Sequence, residues 1–423
     1  MKFLTLLLGL VSGPHWIELA VEPPVVAVEV LLDGNPCGRP EPPAWKARCD
    51  LGRELTPREL VAIGRDAEGR EVSRERQWIN LPRPSAEAQF LFETQNGKTF
   101  ARLHWTSVVE SEPAVLVTFD DQPVKPDRKG RIALPEASPD VVHVLEAELT
   151  FELGVTARAV ATYGGRYGSL VATELTALPF EIAGQPTVES LRGKFRAGDQ
   201  ELAVSAVDRQ GTDLLIVRQS GLERPLVSVV GPLELSTGLG KDGYVTFLAP
   251  YLHRVTQGQK GPVAVFPTSD WRPGWEAGVH WARRKIGIRQ QDRVSGLRLA
   301  DAVAVAGSTA SSRGRRRAVV LVLEGEAKDE SFYRPEQVRA YLERLSVPLV
   351  VWNANHPAVA VPEGWGAMEP VRNIEDLRRA IFQLEETFAR QTVVWFEGGY
   401  RPQTIAPAPG VTGISRLRAA TRE

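Results

Sequence analysis

Along residues 24 to 36 apolar and polar positions alternate, and the run stops at Asp33-Gly34. A period of two puts successive side chains on opposite faces, so the pattern predicts a half-buried strand entering a tight turn. A second pair follows, Arg58 to Arg65 and Glu71 to Ile79, turning across Asp66 to Gly69 and closed by Pro82 and Pro84. The pattern recurs at Ala114 to Phe119, ahead of Asp120-Asp121-Gln122-Pro123, and again at Val141 to Leu153 and Val155 to Tyr163. A solenoid needs three or more stacked copies at a shorter period. Two all-β modules are therefore expected, residues 14–82 and 83–180, each burying the inward residues of two packed sheets.

After residue 205 the alternation gives way to short apolar runs and helical periodicity. Ala318 to Leu323 is apolar on both faces, and Pro335 opens a stretch with Val338, Tyr341, Leu342 and Leu345 on one helical stripe. Val347 to Trp352 follows as a strand. Asn373 then caps a helix with Asp376 three residues on, its apolar face made by Ile374, Leu377, Ile381, Leu384 and Phe388, before the strand Thr392 to Phe396. This is β-α-β-α-β, and strands apolar on both faces belong to a parallel sheet covered by helices. The expected fold class is multidomain α+β: two immunoglobulin-like sandwiches, a linker at 181–204, an open α/β domain at 205–402 and a loose tail at 403–423.

Composition narrows the partners. Among 423 residues, 51 basic and 52 acidic side chains leave a net charge of −1, so no global field favours nucleic acid or an anionic surface. No stretch after the N-terminus has the length of apolar chain a membrane span needs. At the N-terminus Lys2 precedes the apolar run Phe3 to Val11, then Ser12 and Gly13, which reads as a short secretory leader at 1–13 or as a first strand. With the leader, the protein is expected in the periplasm or outside the cell. Cys37 and Cys49 flank a Gly/Pro-rich loop that suits a disulfide in an oxidising compartment, two free thiols being the alternative.

Four segments in order resemble the von Willebrand factor type A domain, in particular the form found in exported acidobacterial proteins. They are Thr212 to Leu222, Val263 to Asp270, Ser295 to Ala302 and Arg315 to Gly325, and the close at Asn373 to Pro402 is similar too. The resemblance implies a Rossmann-like domain and, in the family, a divalent cation held by hard oxygen ligands at strand carboxyl ends. Here the first motif's Asp position is Arg218, its Ser is kept as Ser220, and its second Ser is Leu222. The Thr position is Leu297 and the last Asp is Glu324. A permanent guanidinium where the cation would sit opposes it, so the site is expected to be metal-free. Arg218 and Glu324 then form an internal ion pair or stand as two solvated charges.

Other constellations add little. Gly238 to Gly243 matches G-x-G-x-x-G but lacks the helix opening and the acidic residue of a dinucleotide site. The six His are scattered without ligand spacing, and no Gly-x-Ser-x-Gly elbow is present. Asp120-Asp121 is read as turn chemistry, and the Arg-rich run Arg313 to Arg317 as a solvated turn before a buried strand. Trp271 and Trp275 flank Arg272-Pro273-Gly274, a candidate binding loop beside core packing as the alternative, and Trp365 reads similarly. The expectation is a non-enzymatic protein-binding or scaffold protein of the cell envelope, without cofactor, using Ser220, Asp270, Trp271 and Glu324. A carbohydrate-binding or carbohydrate-active envelope protein is the alternative.

Overall fold

The computed structural model describes residues 1–5, 7, 9–81, 86–95, 98–107, 112–119, 122–127, 130–134, 142–151, 156–164, 175–209, 211–219, 244–256, 262–271, 293–312, 314–324, 328–355 and 362–417. The chain divides into two units, Met1–Pro82 with Leu175–Glu423, and Arg83–Glu174. The first unit opens with β1 (Lys2–Phe3), β2 (Pro14–Ala20), β3 (Ala27–Leu32), β4 (Asn35–Gly38), β5 (Lys46–Asp50), β6 (Arg58–Arg65) and β7 (Glu71–Ile79). Sheets β1-β2-β5 and β4-β3-β6-β7 close on Ile17, Leu19, Val28, Val30, Leu60, Ala62 and Ile79. The β3–β4 turn places both Asp33 and Gly34 at positive φ, 52° and 82°, the geometry that lets a two-residue hairpin follow the strand twist. Cys37 and Cys49 are disulfide-bonded, their Cα atoms 5.1 Å apart.

The second unit holds β8 (Ala86–Gln95), β9 (Lys98–Ser107), β10 (Ala114–Phe119), β11 (Gln122–Pro123), β12 (Arg131–Ala133), β13 (Val142–Thr150) and β14 (Thr156–Gly164). Sheets β11-β10-β13-β14 and β12-β9-β8 face each other across Phe90, Ala101, Val117, Ile132, Leu145, Ala147 and Leu149. Alternate positions of β13 and β14 point inward, the period-two pattern of a sandwich. Asp120-Asp121 lies outside the described residues.

The chain then forms β15 (Leu175–Ile182), α1 (Val188–Leu191), β16 (Phe195–Ala197), β17 (Gln200–Glu201), β18 (Val204–Asp208), β19 (Thr212–Arg218), β20 (Tyr244–Leu248), β21 (His253–Thr256), β22 (Pro262–Val265) and β23 (Thr268–Trp271). After α2 (Leu299–Ser311) come β24 (Arg316–Leu323), α3 (Pro335–Arg344), β25 (Leu349–Asn353), β26 (Glu369–Pro370), α4 (Ile374–Ala389), β27 (Gln391–Glu397), β28 (Ile405–Pro407) and β29 (Ile414–Arg416). A six-stranded sheet runs β23-β20-β19-β24-β25-β26, parallel except for the edge strand β23. Helices cover both faces. Leu215, Val217, Val319 and Leu321 pack toward α2 and α3, while Leu214, Ile216, Val320 and Trp352 pack toward α4. Sheet residues of adjacent number thus serve opposite cores, which is why β19 is buried at every position.

Three expectations are corrected. Thr392 to Phe396 does not extend the parallel sheet: β27 pairs antiparallel with β15 and β18 in a separate sheet, β18-β27-β15-β29. The stretch 181–204 is no linker and 403–417 is no loose tail, because β16-β17 and β28 make a facing sheet and β29 pairs with β15. Between the two sheets Phe180, Phe195 and Phe396 meet at centroid distances of 4.8 to 6.2 Å, surrounded by Leu178, Leu202, Val394 and Ile405. Neither segment carries enough apolar surface alone; together they bury an aromatic core. Nor is the first module independent of the α/β layer. Leu55, fully buried, sits in the core shared by α2 and α3, and the Tyr341 hydroxyl donates to the Asn80 carbonyl at 2.9 Å.

Candidate functional site

The carboxyl ends of β19 and β24 are adjacent in register, Arg218 lying beside Val322. The backbone N–H of Gln219 continues the ladder to the Val322 carbonyl at 2.9 Å, and its side-chain Oε1 accepts from the Glu324 N–H at 3.0 Å. This lock brings Glu324 back over the strand end. Nη2 of Arg218 donates to both of its carboxylate oxygens, at 2.7 and 2.9 Å. The Arg218 side chain is 3% exposed and that of Glu324 12%, so the solvated alternative is corrected to a buried pair. Tyr251 closes one side, donating its hydroxyl to the Gln219 carbonyl at 3.1 Å, with the Arg293 guanidinium stacked on its ring at 3.4 Å.

The neighbouring helix N-terminus is also occupied from within. At the start of α2, Leu299 and Ala300 donate their N–H groups to the Asp329 carboxylate at 2.9 and 3.2 Å, and Asp301 N–H donates to Ser331 Oγ. Asp301 in turn accepts from the N–H groups of Phe332 and Tyr333 at 3.1 Å. A carboxylate neutralises the exposed donors and the positive end of the helix dipole, the two attractions that would otherwise hold an outside anion. Leu297, the position at which the family's Thr would stand, is buried in the core. Among the described residues the set does not fit a divalent cation, since a guanidinium already holds the acidic position Glu324 and the helix end offers the apolar Leu297.

Sequence reasoning brought four residues to this face, and only Glu324 is placed there. Ser220 lies outside the described residues, as do Trp275 and Gly238 to Gly243. Asp270 and Trp271 are displaced because Val263 to Asp270 is the returning arm of a hairpin: β22 pairs antiparallel with β21, and β23 continues it back antiparallel along β20. That reversal sets Trp271 beside Val245, at the amino end of β20, whereas Arg218 lies past its carboxyl end. Four residues at about 3.3 Å each separate the two levels. Trp365 is buried in the core of α2 and α3. The missed groups are Gln219, Asp329 and Ser331. Asp329 stands some thirty residues from the helix it caps, and no local pattern joins them.

No family model matches the chain, and no curated protein does. Its likenesses among solved structures include fibronectin-III-like modules. The central fibronectin-III array of RIM-binding protein is 11% identical, with 46% of this chain and 82% of that one covered and a TM-score of 0.24. The fibronectin(III)-like modules of Clostridium thermocellum CbhA are 9% identical, with 35% and 84% covered and a TM-score of 0.14. Scores this low carry no argument, and the sandwich description rests on the strand pairing itself.

The basic run before β24 has a structural use. Arg317 is fully buried rather than solvated, and donates to the carbonyls of Leu345 and Ser346 past α3 and of Ser311 in α2. A cation among the last carbonyls of two helices complements their negative ends. Burial pushes its guanidinium down to about 9, the cost that these contacts offset.

Proposed function

We propose that the chain is an exported, non-enzymatic protein-binding or scaffold protein of the cell envelope, in which an open α/β domain of the von Willebrand factor type A kind is carried on immunoglobulin-like modules and works without a metal. Counted from β19, the parallel sheet has the order 3-2-1-4-5-6, the doubly wound arrangement, with an antiparallel edge strand of the sort such sheets carry. The observation that carries the reading is the Arg218–Glu324 pair. It sits at the carboxyl ends of strands 1 and 4, where the order reverses and where ligands of such sheets bind. An internal cation there replaces the neutralising role of a metal, so a partner is met by hydrogen bonds and apolar contact from the surrounding loops.

Calorimetric titration with Mg²⁺, Mn²⁺ and Ca²⁺ is expected to show no stoichiometric site. A micromolar site abolished by Glu324→Ala would overturn the reading. Affinity capture from periplasmic or secreted proteins should retain the same partner with and without EDTA, and retention that EDTA abolishes would count against it. The carbohydrate-binding alternative draws on Trp16, a tryptophan 57% exposed on β2 with Lys46 Nζ 5.4 Å from its ring centre. Quenching of tryptophan fluorescence by glycans, lost in Trp16→Ala, would favour it.

A further inference from the structure

Three residues before β19 begins, at the far end of that strand from the Arg218–Glu324 pair, Arg209 lines a cleft of about 550 Å³ formed by β15, β29, the end of α4 and the link between β18 and β19. A volume of roughly 300–1,000 Å³ is usual for a small-molecule site. Only Arg390 separates α4 from β27, so the register of β27 sets the charged groups side by side. Its first residue, Gln391, pairs with Glu181 on β15, and the hydroxyl of its second, Thr392, accepts from Arg209 Nε at 2.8 Å. Arg209 Nη2 donates to the Ile182 carbonyl at 3.2 Å, which fixes the guanidinium against the β15 wall. Ser415, on β29, lies opposite Glu181. Gly184 and Gly413, at φ 76° and 75°, line the cleft without side chains.

The charges around this cleft are not cancelled within the protein. Among the described residues neither Arg209 nor Arg390 forms an ion pair, and the Glu181 carboxylate and Ser415 hydroxyl have no side-chain partner. The end of α4 does not oppose an anion, because its late carbonyls are already met by cations: Phe388 accepts from Arg316 Nη1 at 3.4 Å and Glu386 from Arg390 Nε at 3.3 Å. For Arg316, burial lowers the guanidinium's value, Asp208 opposes this, and the like charge of Arg209 adds to it, so Arg209 stands beside a second cation. We propose that the cleft binds an amino dicarboxylate of about the size of glutamate, its two carboxylates on Arg209 and Arg390, its ammonium on Glu181 and the Ser415 hydroxyl as a further donor. A planar guanidinium gives paired, charge-assisted bonds to a carboxylate, and Arg209 keeps Nη1 for that purpose. A simple anion would leave Glu181 facing like charge, and a simple cation would face two guanidinia. A ligand with two negative groups and one positive group matches all three.

The test is calorimetric titration of the full chain with L-glutamate, which should show one saturable site with a Kd below about 1 mM. Glutarate lacks the ammonium and γ-aminobutyrate lacks one carboxylate. Each should bind at least about tenfold more weakly, the worth of one charge-assisted hydrogen bond. This comparison needs no variant and decides the matter on the parent protein. Two substitutions then assign the roles. Arg390→Gln, on an exposed side chain, should weaken glutamate at least about tenfold. Glu181→Gln should abolish the preference for glutamate over glutarate, a change of selectivity that a general loss of structure does not produce. No saturable binding of glutamate, equal affinity for the three ligands, or a glutamate affinity unchanged by Arg390→Gln would overturn the proposal.

Discussion

Replacing Glu324 by Ala tests how the buried pair is balanced. At 2.7 Å and an effective dielectric of 20 the attraction between the charges is about 6 kcal/mol, and the loss of hydration of both ions cancels most of it. The net worth of the intact pair is therefore small. Removing one partner is another matter. Arg218 is 2% exposed, so without this carboxylate it keeps its desolvation cost and loses the bidentate attraction that Glu324 supplied. The expected loss is about 3–5 kcal/mol, against about 0–1 for an exposed pair. The double variant Arg218→Met/Glu324→Leu removes both charges and should regain most of that loss. Urea unfolding followed by tryptophan fluorescence reads the effect, because every tryptophan except Trp105 belongs to the unit holding the pair, and Trp352 is fully buried on the same sheet. A Glu324→Ala protein within 1 kcal/mol of the parent (about fivefold in the folding equilibrium), or a double variant no better than the single, would refute the reasoning.

Asp329→Ala removes the acceptor of two N–H groups opening α2 and should cost about 2 kcal/mol in thermal or urea unfolding; a neutral result would show the cap to be idle. Gly307→Ala, ordinarily a gain in a helix, should destabilise by about 1–3 kcal/mol, since its Cβ would meet Leu342 Cδ1 at 2.5 Å where α2 crosses α3. Reducing Cys37–Cys49, which closes a loop of sequence separation 12, should cost about 3 kcal/mol and loosen the first module before the second, as hydrogen exchange would show. At Asp66 burial acts to raise the carboxyl's affinity for its proton, but the hydrogen bonds from Arg70 and Glu68 outweigh it and hold the group below its ordinary value of 3.8. A lowered native value means stability present above that pH and lost as pH falls through it, so amide exchange in the turn 66–70 should quicken under acid, and Asp66→Asn should flatten the dependence.

The strands Arg58–Arg65 and Glu71–Ile79, the Asp33-Gly34 turn, the Pro335 helix and the Asn373 cap were all legible in the chain, because each is set by residues within a few positions of one another. Asn373 shows the limit of such reading: its side chain does accept from Glu375 and Asp376, yet Asp376 reaches Arg372 N–H instead of returning to the cap. The juxtaposition of Arg218 with Glu324 was legible too, through the alignment of two strand ends. Its burial was not, since burial depends on Gln219 and on what covers the strand ends.

Local alternation and helical period determined which stretches are strands or helices and which of their faces are apolar, since those depend on backbone geometry repeating over a few residues. Which strand pairs with which was decided only in three dimensions. The run Thr392 to Phe396 is as apolar as any strand of the parallel sheet, but it meets Leu175–Ile182 across more than two hundred residues because both need the same aromatic core. The direction of Thr268–Trp271, and with it the removal of Asp270 and Trp271 from the upper face, likewise follows from the hairpin pairing of β21 with β22, which β23 continues back along β20 and which no period reveals. Side chains that bridge distant segments, Asp329 to α2, Gln77 to Thr5 and Leu7, and Asn80 to Val11, leave no periodic trace, because a hydrogen bond needs proximity in space and nothing in sequence spacing supplies it.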